Sequence, residues 1–288
     1  MGKFWIGTIR DCRGNDPAYN SRMKSKTMKQ QVTFGMMNHP ALDPVPEILK
    51  AKKMGFDFVD LTLEPPGAGF ETFKLAPVQR AFDKTGLGIV GHTGWHLHGN
   101  AAYPEVRRGV AESLLWAARH FSTLGAKTMT YHIHAAVAKY IGLQAAIDAQ
   151  VETLRYVSEE AGAMGVQIVL EHFHGRPDQF ETLDALFDKV PALGFHLDIG
   201  HANLSGRENV TNEFCRRYGK RLMHVHISDN RGDVDAHMPL GAGTIDWPTE
   251  IGHLKKMGYK RTVTLEVFSS DAEYVAVSLR KARAWFKK

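Results

Sequence analysis

Cysteine is nearly absent from this chain: Cys12 and Cys215 are the only two among 288 residues. Two thiols exclude the multi-bridge framework on which small secreted domains rely, so a reducing cytoplasm is the expected location. Long apolar runs are missing too. No stretch approaches the ~20 apolar residues needed to cross a bilayer, so no membrane partner is expected. Near the N-terminus, FWIGTI is too short and too quickly followed by polar residues to be the apolar region of a secretion signal. No low-complexity tract and no internal repeat breaks the chain, which is read as one globular body. A hydrophobic content of 43% and a charged content of 23% are ordinary for such a body.

A charge excess is absent where it would matter most. The net charge is +5, but residues 1–30 alone hold Lys3, Arg10, Arg13, Arg22, Lys24, Lys26 and Lys29 against Asp11 and Asp16. The rest of the chain then carries 29 basic and 29 acidic residues. Its neutrality argues against a nucleic-acid partner for that part, despite a sequence pI near 9.1. Residues 1–30 also lack hydrophobic periodicity. They are expected to form a flexible basic extension ahead of a domain spanning 31–288.

What the sequence does have is a succession of short apolar runs, each separated from the next by a helical pattern. Strands are expected at Val32–Met37, Phe58–Leu63, Gly88–Gly91, Thr128–Tyr131, Gln167–Leu170, Leu193–Leu197, Leu222–Val225 and Thr262–Leu265. Helices are expected near Pro44–Met54, Phe73–Lys84, Glu105–Leu124, Leu143–Met164, Leu183–Val190, Val210–Arg217, Trp247–Met257 and Ala272–Phe286. Gly55, Gly86, Gly125, Gly165, Gly194 and Gly258 stand between a helix and the next strand, where a left-handed cap turns the chain back. Eight strand–helix units with short links predict an α/β fold, a single-domain (β/α)8 TIM barrel.

Most of these runs end in a side chain that can bind metal or move a proton: His92, His132, Glu171, Asp198, His226 and Glu266. Residues at the carboxyl ends of barrel strands converge on one pocket. His, Glu and Asp converging there is the donor set of a metal site. His224 lies two residues before His226 on the same strand face and competes with it as a ligand. Glu64, at the end of the second strand, is a candidate substrate-binding residue. His134 lies at the expected pocket rim, and Arg231 offers a planar fork for a hydroxyl or phosphate. Trp95, Phe173 and Trp247 are candidates for an apolar wall against a sugar's carbon face. His39, His120, His196 and His253 read as structural or exposed.

Three motifs, LEHFHG at 170–175, HLDIGHANL at 196–204 and HVHISDN with AHMPLGAGTIDW over 224–247, carry a resemblance. From Val32 onward the chain resembles the xylose isomerase-like TIM-barrel superfamily. That group includes sugar epimerases, sugar and hydroxypyruvate isomerases, inosose dehydratases and endonuclease IV. The resemblance implies one divalent ion (Mn²⁺, Co²⁺, Mg²⁺ or Zn²⁺) held by Glu171, Asp198, His226 and Glu266. It also implies that Glu171 and Glu266 act as the acid/base pair. The reaction implied is isomerisation or epimerisation of a small sugar, sugar phosphate or hydroxy-keto acid, by proton transfer through a metal-stabilised enediolate. His201 would contact a substrate oxygen. The partners implied are a small-molecule substrate and further copies of the chain in a homo-oligomer.

The endonuclease IV branch implies something different: a phosphodiesterase with up to three Zn²⁺ held by nine ligands. The matching positions are His92, His132, Glu171, Asp198, His201, His226, Asp235, His237 and Glu266. Here the chain departs from that branch, with HTGW, YHIHA and GTIDW in place of its patterns. An inosose-dehydratase-like lyase is a third implied reaction.

Overall fold

A computed structural model describes residues 31–135, 140–204, 206 and 208–287. The expected basic extension, residues 1–30, lies outside the described residues. Eight strands appear: β1 (Thr33–Met37), β2 (Phe58–Leu63), β3 (Gly88–Thr93), β4 (Thr128–His132), β5 (Gln167–Glu171), β6 (Gly194–Asp198), β7 (Leu222–Ile227) and β8 (Thr262–Leu265). They close into one barrel in chain order, and β1 pairs with β8 through Thr33↔Thr262 to Met36↔Leu265. Every ladder is parallel. The fold is a (β/α)8 barrel.

The helices are α1 (Pro44–Met54), α2 (Leu75–Thr85), α3 (Pro104–Leu124), α4 (Leu143–Ala163), α5 (Pro177–Lys189), α6 (Ile199–Asn203), α7 (Thr211–Tyr218), α8 (Trp247–Lys256) and α9 (Ala272–Lys287). Two differ from expectation. α5 begins at Pro177, six residues before Leu183, because proline suits the first helical position and Asp178 follows it in the first turn. α6 was not expected. It starts directly after β6, where Asp198 Oδ1 accepts from His201 N at 2.8 Å and caps the turn. Among the expected glycine caps, Gly55, Gly86, Gly125, Gly165 and Gly258 have positive φ, whereas Gly194 does not. Gly194 lies within β6, and α5 is capped by Val190 instead.

Alternation along each strand sorts the side chains. Val59, Leu61, Ile168, Leu170, Phe195, Leu197, Val225, Val263 and Leu265 belong to the buried core shared with the helices. The alternate positions face the barrel axis. They are unusually polar: Asp60, Thr62, Thr130, His196, His224, His226 and Thr264 are all buried. Such an interior requires partners for its polar atoms, and it supplies most of them internally. Trp247, considered for a pocket wall, belongs to the core; its ring stacks near Trp285 and its Nε1 donates to Asp229.

Asp229 also fixes the loop after β7, which carries Asp235 and His237. Its buried carboxylate accepts from Gly241 N (2.6 Å), Trp247 Nε1 (2.9 Å), Asn230 N (3.0 Å) and Ile245 N (3.4 Å). Its backbone exchanges two hydrogen bonds with Met238. Gly243 permits this closure, since a Cβ there would lie 2.2 Å from the Asn230 carbonyl oxygen. Asp229→Ala strands these donors. It is expected to cost about 2–3 kcal/mol in urea unfolding and to speed trypsin cleavage at Arg231, the exposed basic residue of the loop.

Candidate metal centre and substrate cavity

Glu171, Asp198, His226 and Glu266 converge. One ligand atom from each lies within 4.8 Å of all the others. His226 Nδ1 is 3.0 Å from Glu266 Oε2, 3.7 Å from Glu171 Oε1 and 3.8 Å from Asp198 Oδ2. A divalent ion with bonds of about 2.0–2.2 Å spaces adjacent ligand atoms by about 3.0–3.5 Å, so the set is close to that geometry. Glu171 Oε1 and Asp198 Oδ2 are buried without a hydrogen-bond partner. An orphaned carboxylate oxygen in that setting is costly unless a cation meets it. The donor set therefore fits a divalent ion.

Electrostatics point the same way. Burial, opposed by His201 and His226 but reinforced by Glu171 and Glu266, pushes the Asp198 carboxyl up to about 6. Burial also works against charge on His226, yet Glu171, Glu266 and Asp60 hold its imidazole well above the ordinary histidine range. Three carboxylates thus share a space where the histidines supply the balancing charge.

Asp60 decides which histidine faces that space. Its Oδ2 accepts from His226 Nε2 (2.7 Å), His224 Nε2 (2.8 Å) and Thr264 Oγ1 (2.9 Å). His226 Nε2 is thereby occupied and Nδ1 is left toward the carboxylates, the arrangement by which a carboxylate orients a metal-binding imidazole. His224 lies one layer deeper, with Nδ1 at 2.6 Å from Thr262 Oγ1. Asp60 went unread in the sequence. The signal was a lone carboxylate inside the apolar run FVDLTL. His196, read as structural or exposed, is fully buried, with Nδ1 3.3 Å from Glu171 Oε2 and 3.0 Å from Thr130 Oγ1.

Two further groups flank the centre. His132 Nε2 and His92 Nε2 stand 3.1 and 3.4 Å from Glu171 Oε2. On the other side, Asp235 Oδ2 lies 3.1 Å from His201 Nε2 and 3.0 Å from His237 Nε2. His201 Nδ1 donates to the His172 carbonyl at 2.6 Å, which leaves Nε2 for Asp235. Burial disfavours charge on His237, but Glu266 and Asp235 prevail and raise it to about 9. His237 is the only non-glycine residue with positive φ among those described, a strained conformation of the kind found at functional loops.

A cavity of about 520 Å³ opens above the centre. Glu64, His92, His132, His201, Asp235, His237 and Glu266 line it, with Trp95, Phe173 and Phe268 as its aromatic surfaces. Glu171, Asp198 and His226 are fully buried and do not line it. Nor does His134, whose Nε2 donates to the Trp95 carbonyl at 2.6 Å and supports the wall from behind. Burial and the adjacent His98 bring the His134 imidazole down to about 3, so it is neutral. Arg231 is exposed and outside the lining.

Comparison with known proteins adds a relationship. A family model described as xylose isomerase-like TIM barrel matches residues 48–288. An uncharacterized protein of Methanocaldococcus jannaschii is 32% identical over 127 residues, 42% of this chain and 43% of that protein. L-ribulose-5-phosphate 3-epimerase UlaE of Escherichia coli is 24% identical over 223 residues, 76% of this chain and 63% of that enzyme. The chain thus spans about half the length of these relatives. Among solved structures, a D-tagatose 3-epimerase-like protein superposes with a TM-score of 0.74 at 22% identity, covering 89% of this chain and 97% of the other. No helix among the described residues is long and apolar enough to cross a membrane.

Two measurements probe the centre. A metal ion must displace the proton that His226 holds, so adding Mn²⁺ to metal-free protein at pH 7 in weak buffer should release protons. Apparent affinity should then rise with pH from about 6.5 upward. Asp60→Asn should weaken Mn²⁺ binding roughly 10–100-fold in calorimetric titration. Unchanged affinity would refute the orienting role of Asp60.

Proposed function

We propose that this chain, which belongs to the xylose isomerase-like TIM-barrel family, is a divalent-metal-dependent epimerase or isomerase of sugars. The observation that carries this reading is the convergence of Glu171, Asp198, His226 and Glu266 beneath the cavity. These four residues would hold the ion, and Mn²⁺, Co²⁺, Mg²⁺ and Zn²⁺ all suit three carboxylates and one imidazole. The ion, when bound, polarises a substrate carbonyl and stabilises negative charge on its oxygen. The sugar epimerases among the relatives and structural neighbours support the choice of reaction.

The chain's own groups divide the remaining work. Glu266 reaches the cavity surface and takes the proton from the carbon beside the carbonyl. Glu171 is buried behind His92 and His132, whose imidazoles line the cavity and touch its Oε2. Its surrounding imidazoles keep Glu171 a carboxylate, and that carboxylate in turn holds a proton on His92, from which it is returned to the substrate's other side. Trp95, Phe173 and Phe268 cover the carbon face of the sugar and exclude water. Glu64 accepts a sugar hydroxyl at the rim; its Oε1 is already held by Thr62 Oγ1 at 3.0 Å.

A second reading, a three-zinc phosphodiesterase, is favoured by one observation: the His92–His132–Glu171 group and the His201–Asp235–His237 group flank the centre on either side. Elemental analysis of protein purified without chelator separates the two, at one tightly held ion against about three zinc per chain. Protein reloaded with Mn²⁺ should exchange a ketose α-proton for deuterium in D₂O, followed by proton NMR over a panel of ketoses, ketose phosphates and hydroxypyruvate. Glu266→Gln should slow that exchange by about 10²–10⁴-fold. Cleavage of abasic duplex DNA, with no exchange on any ketose, would replace the epimerase reading with the phosphodiesterase.

A further inference from the structure

A second cavity, of about 440 Å³, adjoins the first. Its position follows from three elements: the loop after β2, the loop after β3 and α3. Glu64, Pro65 and His96 line both cavities, so the two share a wall. Their linings differ in kind. The first is built around imidazoles and carboxylates, whereas the second is mainly apolar, closed by Leu63, Pro66, Phe70, Leu97, Trp116 and Ala117, with Glu71, Thr72, Thr93 and Ser113 as its own polar groups. Phe70 and Trp116 stack at 4.4 Å between ring centroids with 26° between their planes. Phe70 is nonetheless 58% exposed, an uncommon state for a large aromatic ring beside a concave apolar surface.

We infer that this second cavity is a subsite for an uncharged aromatic or apolar substituent carried by the sugar, so that the substrate is a substituted keto-sugar or glycoside. The inference rests on the epimerase reading for the sugar's own position. With the reacting carbon at Glu266, a substituent that leaves the sugar past Glu64 and His96 arrives at Phe70 and Trp116. The Glu64–His96 pair, 3.8 Å apart, stands at the boundary between the polar and apolar halves. A planar ring gains there both apolar burial and contact with two aromatic faces. A methyl group in the same place leaves most of that surface wet. Pockets that bind small molecules commonly combine a large apolar lining with a few convergent polar groups, and the two cavities together have that composition.

The test compares phenyl and methyl D-glucopyranosides, in both anomers, titrated calorimetrically into the full-length Mn²⁺-loaded protein. The expected result is that one phenyl anomer binds at least ~10-fold more tightly than its methyl counterpart. The phenyl-to-methyl ratio should fall toward one in Trp116→Ala and in Phe70→Ala. Because Phe70 is exposed, its replacement keeps the fold even if that of Trp116 does not. A ratio near one in the unaltered protein overturns the inference, as does a ratio that survives both substitutions. A dimer sealed over Phe70 that bars the phenyl glycoside also overturns it. The D₂O exchange experiment is independent of this ratio. Exchange lost with the ratio intact removes the epimerase reading and keeps the subsite; exchange intact with a ratio of one does the reverse.

Discussion

Like charges buried at one point are the constraint around which this molecule is arranged. Glu171, Asp198 and Glu266 bring three carboxylates within a few ångströms of each other, and burial denies water to all but the cavity-facing edge of Glu266. A hydrophobic barrel interior could not tolerate that arrangement. The interior answers with a ladder of hydrogen bonds, His224, His226 and Thr264 to Asp60 and His196 to Thr130, with His196 also 3.3 Å from Glu171. Many TIM barrels fill the same layers with branched aliphatic side chains. Here the apolar work is left to the outward faces of the strands and the helices that cover them.

The fold was legible because its signal is repetitive. Eight short apolar runs separated by amphipathic segments leave few alternatives, and glycines such as Gly55 and Gly125 mark where each helix turns back. The strand-end residues were legible for the same reason, since the end of a parallel strand fixes where its next side chain lies. Asp60, and the side on which His196 would lie, were not. Each sits inside a strand rather than at its end, and neither announces which way it faces until the register around the barrel is set. The second cavity was equally hidden, because Phe70 and Trp116 are 46 positions apart and meet only through the packing of a loop on α3.

Loop length explains where expectation and structure parted. α6 follows β6 with no connecting residue, a start created by the Asp198 side chain rather than by any helix-forming run. The loop after β7, by contrast, is long and closed on Asp229, so Asp235 and His237 arrive from a segment with no periodic pattern. Both devices serve one end: side chains distant in sequence reach the same cavity at defined positions.

Asp198 spends its two oxygens in different ways. Oδ1 begins a helix, while Oδ2 faces the centre without a partner. A ligand tied to a helix start cannot swing aside without loosening that turn. His237, on its strained backbone, approaches the same centre from the loop after β7 and is held by Asp235 at 3.0 Å. The centre thus joins two separate anchorages, one in the barrel through Asp60 and Asp198 and one in the loop that Asp229 closes.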